Sequence, residues 1–222
     1  MNVFDIIGPV MIGPSSSHTA GAVRIGMVVN KIMNEMQPES VEVTLSGSFA
    51  QTYKGHGTDR AIMAGIMGFS SDSEEIKSAL EIASERGIKY SFIRKNIPGA
   101  HPNTALINFL MPDGTSGNVL GASIGGGNIR VDQINGMKVE FSGEKNTLLI
   151  MHRDQPGVIA EVTNFMHFCY GSLNICNFHL SREERGGNAI MTIEIDQAPP
   201  SRLIEDLKNL KDVDNAILVR RI

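Results

Sequence analysis

From Thr147 onward the chain changes its hydrophobic period in a fixed order, and that order constrains the fold more than any other feature. An apolar run over 147–152 reads as a strand, and Asp154-Gln155-Pro156-Gly157 as a turn. Over 158–170 the residues Val158, Ile159, Val162, Phe165 and Met166 recur at helical spacing. A strand follows over 173–181, then a hairpin turn through Gly186-Gly187 and a strand over 188–196. A helix over 201–210 and a strand over 215–220 complete the series. The order βαββαβ is the ferredoxin-like pattern. Such a pattern licenses no function by itself.

Upstream the organisation is different. The polar, glycine-bearing stretch 142–146 reads as a joint, which places one domain over 1–144 and a second over 147–222. In the first, MNVFDIIGPVM reads as a short amphipathic helix ended near Gly8-Pro9. A helix over 19–36 is closed by Gln37-Pro38. Over 40–47, Val41, Val43 and Leu45 alternate with Glu42, Thr44 and Ser46, the pattern of a half-buried strand. A short helix over 48–55 leads to a second that starts at Thr58, its expected cap. A third, capped by Asp72 or Ser73, stops at Gly87. Strands then follow over 88–94, 105–111, 117–123, 129–134 and 137–141, with a turn at Pro112-Asp113-Gly114. Helices and strands without regular alternation make the fold class α+β.

The chemistry concentrates in GPSSSHTAG, Gly13 to Gly21. Pro14 keeps the following helix from starting earlier, and Ser17 reads as its N-cap. Hydroxyls and His18 therefore gather at a helix N-terminus, where unpaired N–H groups and the dipole favour a carboxylate or phosphate. The same field disfavours the charged imidazole, so His18 is expected to be neutral and a competent general base. His101 lies between Ala100 and Pro102, just before a strand. His56 stands between Gly55 and Gly57, which fits a close backbone approach to a ligand and fits a plain tight turn as well.

Several function classes are disfavoured. The formal charge is −4 with no basic block, which argues against nucleic acid as a partner. No apolar run approaches the roughly 18 residues that span a bilayer. The start carries no basic signal-peptide region, so the expectation is a cytoplasmic protein. Gly125–Gly127 does not form the dinucleotide-binding pattern, and neither a P-loop nor HExxH is present. Cys169 and Cys176, the two cysteines, are too few for a 4Fe–4S cluster, which normally takes four thiolates. No metal ligands are expected on this chain.

MIGPSSSHTAGAVRIG, followed in order by GHGTDRA, GAHPNTA and SIGGGNI, resembles the beta chain or beta domain of the iron–sulfur-dependent bacterial L-serine dehydratases. DQPGVIAEV with Gly171 and LNI resembles the ACT family. The first resemblance implies a lyase that converts L-serine to pyruvate and ammonia, in serine catabolism and gluconeogenesis. Its 4Fe–4S cluster would be held by cysteines of a partner alpha chain. It further implies that His18 takes the α proton, that Ser16, Ser17 and Thr19 hold the carboxylate, and that His101 and Asn103 orient groups nearby. The ACT resemblance implies self-association and a small effector held by Asp154, Gly157 and Asn174. A second reading stands beside these. The first region also resembles the allosteric substrate-binding domain of some phosphoglycerate dehydrogenases, which implies a non-catalytic, amino-acid-binding regulatory module.

Overall fold

The structure is a computed structural model, and it describes residues 11–222. The N-terminal helix expected before Gly8-Pro9 lies outside the described residues. Two units divide the chain, 1–136 and 137–222. The division falls just before the strand Met137–Phe141 rather than in the polar joint after it.

In the first unit β1 (Ser40–Ser46) is flanked on both sides. It pairs parallel with β2 (Lys89–Arg94) and antiparallel with β3 (Asn103–Leu110). From β3 the chain turns antiparallel into β4 (Ser116–Gly125) and again into β5 (Asn128–Ile134), so the strands lie in the order β2-β1-β3-β4-β5. Val41, Val43 and Leu45 of β1 are buried, as their alternation requires. Thr44 and Ser46, expected on an open face, are buried too. The loop after β2 covers that end of the strand, where Ser46 Oγ accepts the Ile97 N–H at 3.0 Å.

Among the described residues four α-helices connect or precede these strands: α1 (Ala22–Ile32), α2 (Gly47–His56), α3 (Thr58–Ile66) and α4 (Ala79–Glu85). A 3₁₀ turn, Glu74–Ser78, leads into α4. The apolar face of α1, with Val23, Ile25, Val28 and Val29, is buried. It stops four residues short of the expected 36, because Asn34 and Glu35 take left-handed backbone angles. α1 and α3 meet through glycines. A Cβ on Gly26 would sit 2.3 Å from the Ile62 carbonyl oxygen, and one on Gly65 2.0 Å from that of Val23. Their backbones touch directly.

The second unit opens with β6 (Met137–Phe141), followed by β7 (Asn146–Arg153), α5 (Val158–Cys169), β8 (Ile175–Arg182), β9 (Asn188–Ile195), α6 (Arg202–Lys208) and β10 (Val213–Val219). From β7 on, this is the βαββαβ order read from the sequence, and its antiparallel sheet runs β10-β7-β9-β8. Leu148, Ile150, Met191 and Ile193 of the sheet pack with Val158, Val162 and Met166 of α5 and Leu203 and Leu207 of α6. The fold is α+β throughout. Among the described residues no helix is long and apolar enough to cross a membrane.

Candidate functional site

The serine-rich stretch forms a wide π-helical turn, Ser16–Gly21, that runs straight into α1. Such turns are rare and recur at functional sites. Its N-cap is Ser15, not Ser17. Ser15 has an extended backbone, and its Oγ accepts the His18 N–H at 3.3 Å. The helical conformation begins at Ser16, so Ser17 already lies inside the turn and has no capping role. Thr58 does not cap its helix either. Gly57, in a left-handed conformation, occupies the cap position of α3, and the Thr58 hydroxyl is buried without a hydrogen-bond partner among the described residues.

His18 is 9 % exposed and stands at the centre of a hydroxyl cluster. Its Nδ1 lies 3.4 Å from Ser15 Oγ, and its Nε2 lies 3.1 Å from Thr52 Oγ1 and 3.3 Å from Ser48 Oγ. Phe49 packs edge-on to the imidazole with centroids 5.1 Å apart, and the His56 ring lies 4.8 Å away. Ser48 and Thr52 are one turn apart on α2 and share a face. The Thr52 hydroxyl donates its one proton to the Ser48 carbonyl at 2.9 Å. Its oxygen is then an acceptor toward His18, which assigns the ring proton to Nε2 and the lone pair to Nδ1, facing Ser15.

Burial holds the His18 imidazole below its usual range, and the charge of His56 pushes the same way. A hydrogen bond to the Ser48 backbone opposes both. The direction agrees with the neutral base expected from the sequence. The causes are burial and a second histidine, whereas the expectation rested on the helix dipole. An NMR titration of the His18 ring should therefore show protonation below the ordinary imidazole value of about 6.5. His56→Asn removes a charge that disfavours the imidazolium, so the midpoint should move up. Burial is the larger cause, so the midpoint should stay below the ordinary value. An unchanged midpoint in His56→Asn would show that the two rings are not coupled.

The segment carrying His101 reaches the same end of the sheet. Asn103 bridges to Gly47, and the Phe49 N–H donates to the Pro102 carbonyl at 3.3 Å, so the segment abuts the first turn of α2. Gly47 has φ +56, and a Cβ there would sit 2.5 Å from the Pro102 carbonyl oxygen, which makes glycine the residue that allows this approach. His101 Nδ1 accepts the Asn103 N–H at 3.2 Å. Asn103 Oδ1 is buried without a partner among the described residues. His101 and His18 thus share α2 as a neighbour and have no hydrogen bond to each other among the described residues. Ser16 and Ser17 are half-buried beside His18, and Thr19 is 2 % exposed.

The second-unit residues do not converge within one chain. Asp154 follows β7, where it accepts from Arg182 Nη1 at 2.6 Å and the Gly186 N–H at 3.0 Å. These two donors hold its carboxyl below the usual range, the Gly186 N–H most strongly. Gly157, at φ +98, starts α5. Asn174 precedes β8 and donates to Asp196 at 2.8 Å. In the register of the sheet Ile175 and Asn146 both face Ile195, whereas Arg153 faces Asn188. Asn174 and Asp154 therefore lie at opposite ends of β7, roughly 20 Å apart.

The cysteines do not fit an iron–sulfur cluster. Cys169 ends α5 and Cys176 lies in β8, where its thiol donates to the Glu194 carbonyl. Desolvation of the sulfur and the nearby Asp196 push that thiol up, away from the thiolate a metal needs. Among the described residues no three His, Cys, Asp or Glu side chains group to hold a metal ion.

Residues 2–89 match the family described as "Serine dehydratase beta chain". Over 212 residues the chain is 43 % identical to the "Probable L-serine dehydratase, beta chain" of Bacillus subtilis (strain 168), covering 96 % of this chain and 94 % of that one. The chain belongs to the serine dehydratase beta-chain family. The "L-serine dehydratase, beta chain" of Peptoniphilus asaccharolyticus is 40 % identical over 94 % of this chain and 91 % of its own. A "D-3-phosphoglycerate dehydrogenase" of Bacillus subtilis (strain 168) is 26 % identical over 88 % of this chain but only 37 % of its own. In this beta chain the motif reading located His18 and missed its neighbours Ser15, Ser48 and Thr52. The spacing of Ser48 and Thr52 on an expected helix was the one available signal, and nothing in it names the helix's partner.

Proposed function

We propose that this chain is the beta subunit of a cytoplasmic, two-chain L-serine ammonia-lyase that forms pyruvate and ammonia. The observation that carries the proposal is the buried His18 amid hydroxyls, in a chain matched along nearly its whole length by L-serine dehydratase beta chains. Elimination of water from L-serine removes the Cα proton and the Cβ hydroxyl. His18 Nδ1 takes the proton, and its Nε2–H stays anchored on Thr52, which fixes the ring's orientation. Ser16, Ser17 and Thr19 hold the carboxylate, and His101 with Asn103 orients the substrate from the start of β3. The resulting enamine tautomerises and hydrolyses to pyruvate and ammonia.

The Cβ hydroxide needs an acid to leave, and a 4Fe–4S cluster on the alpha subunit's own cysteines would supply it as a Lewis acid; the two cysteines of this chain do not fit such a cluster. This chain's part is the base and the substrate-facing wall. Its second unit resembles an ACT domain, and we assign it self-association. Asp154 and Gly157 of one copy would then face Asn174 of another around an effector.

A second reading, the regulatory amino-acid-binding module, is favoured by the match to the phosphoglycerate dehydrogenase. A binding site needs the hydroxyls but no base. One experiment separates the two: anaerobic co-expression with the candidate alpha chain, a serine-to-pyruvate assay, and sedimentation of this chain alone. We expect turnover by the pair, none by this chain alone, and a dimer or larger species in the centrifuge. Serine binding without turnover in a cluster-loaded pair would favour the module, and a strict monomer would remove the assigned pairing.

A further inference from the structure

His56 borders two things at once: the His18 ring, and a cavity of about 210 Å³. Thr19, Gly57, Arg60 and Lys77 also line this cavity. It is smaller than the roughly 300–1,000 Å³ of pockets that take drug-sized ligands, and it suits a molecule of a few heavy atoms. The described lining residues include two cations and no carboxylate. Lys77 is exposed and pairs with Glu74 at the surface. Arg60 is half-buried and has no carboxylate partner among the described residues. Its guanidinium lies by the left-handed Gly57 at the start of α3, where Nη2 would be 3.3 Å from a Cβ. Two polar atoms of the lining residues also have no hydrogen-bond partner among the described residues: Thr19 Oγ1, in a residue 2 % exposed, and His56 Nδ1. Buried polar atoms are nearly always paired. An unpaired hydroxyl and ring nitrogen beside an arginine mark a place for an anion.

We propose that this cavity seats the carboxylate of the amino-acid substrate, with Arg60 as its counter-charge and Thr19 as a donor. The inference rests on the proposed function and deepens it. Arg60, in the GHGTDRA motif, becomes the residue that requires a free carboxylate on the substrate. The guanidinium's planar fork gives a carboxylate two parallel hydrogen bonds, which a lone hydroxyl cannot supply. Thr19, next in sequence to His18, belongs both to this cavity and to the hydroxyls assigned to the carboxylate, so Arg60 adds a charge to that seat.

In the two-chain enzyme, Arg60→Gln should raise KM for L-serine about 10–100-fold with little change in kcat, the pattern of lost uniform binding. Arg60→Lys, which keeps the charge without the fork, should recover part of the loss. L-Serinamide, which lacks the carboxylate, should inhibit wild type and Arg60→Gln equally, whereas a distorted site would weaken both ligands. A KM within about twofold of wild type in Arg60→Gln, or equal loss of serinamide binding, overturns the assignment. Absence of turnover in the cluster-loaded wild-type pair counts against the proposed function instead. In that event calorimetric titration of this chain with L-serine decides the carboxylate site. Binding that Arg60→Gln abolishes supports it. Binding that Arg60→Gln leaves intact, or none in wild type, overturns it.

Discussion

In the two-chain enzyme proposed above, His18→Ala should lower kcat for L-serine by about 10²–10⁴-fold, the usual contribution of a positioned general base. The content of the proposed cluster and the proposed association with the alpha chain should stay unchanged. The imidazole is held between Ser15 on Nδ1 and Thr52 with Ser48 on Nε2, so its lone pair has one direction. Burial first, and the charge of His56 second, hold its pKa below the usual imidazole range, which favours the neutral base. Alanine leaves a hole bounded by Phe49 and His56, into which added imidazole can diffuse, and partial rescue by imidazole would separate a lost base from a damaged fold. The second readout is exchange of the serine α hydrogen in deuterated solvent, which should fall with kcat. Near-normal turnover in His18→Ala would move the base to His101 or to the partner chain. His101, whose Nδ1 lone pair accepts the Asn103 N–H, carries its proton on Nε2 and would have to give up that hydrogen bond to act as the base.

The second large effect is expected where two helix backbones touch. Gly65→Val should destabilise the protein by about 1–3 kcal/mol or more and lower Tm by ~2–4 °C for each kcal/mol. A Cβ at that position would lie 2.0 Å from the Val23 carbonyl oxygen and 2.9 Å from the Met27 nitrogen. Both are backbone atoms, so no rotamer change relieves the contact, and α1 and α3 must separate. The wide turn that carries His18 is continuous with α1, and His56 ends α2 just before Gly57, the cap of α3, so separation also pulls the two rings apart. Activity should fall even at temperatures where the variant remains folded. Gly55→Ala is the matched control. Gly55 is in α2, has no left-handed backbone angle, and a Cβ there meets nothing within 4 Å. It should be neutral or stabilise by up to ~1 kcal/mol. Equal melting temperatures for Gly65→Val and wild type would show that the helix contact yields more easily than its geometry implies.

The residues that could be read one by one were those whose signal is local. Alternation in Val41, Val43 and Leu45 and helical recurrence in Val158, Val162 and Met166 act within a few positions, as do the turn glycines. The sequence by itself therefore determined the order of elements from β1 to β10, the ferredoxin-like order of the second unit, and the placing of His18 at the start of a helix. Even there the cap was misread, because Ser15, Ser16 and Ser17 are equally good cappers, and the choice among them depends on how the turn packs. In that packing Gly21 lies so close to β4 that a Cβ would sit 2.1 Å from Ser123 Oγ. The tertiary structure alone decided what surrounds the imidazole. Ser48 and Thr52 lie 30 and 34 positions from His18, and no period or spacing in a single chain specifies which helix face meets which loop. The same holds for Arg60, whose meaning comes from a cavity it shares with Thr19, and for Asp154 and Asn174, which strand register sends to opposite ends of one sheet. Contacts of this kind are set by the packing of whole elements, such as the glycine contact of α1 with α3, and that packing is not encoded in any short stretch of the sequence.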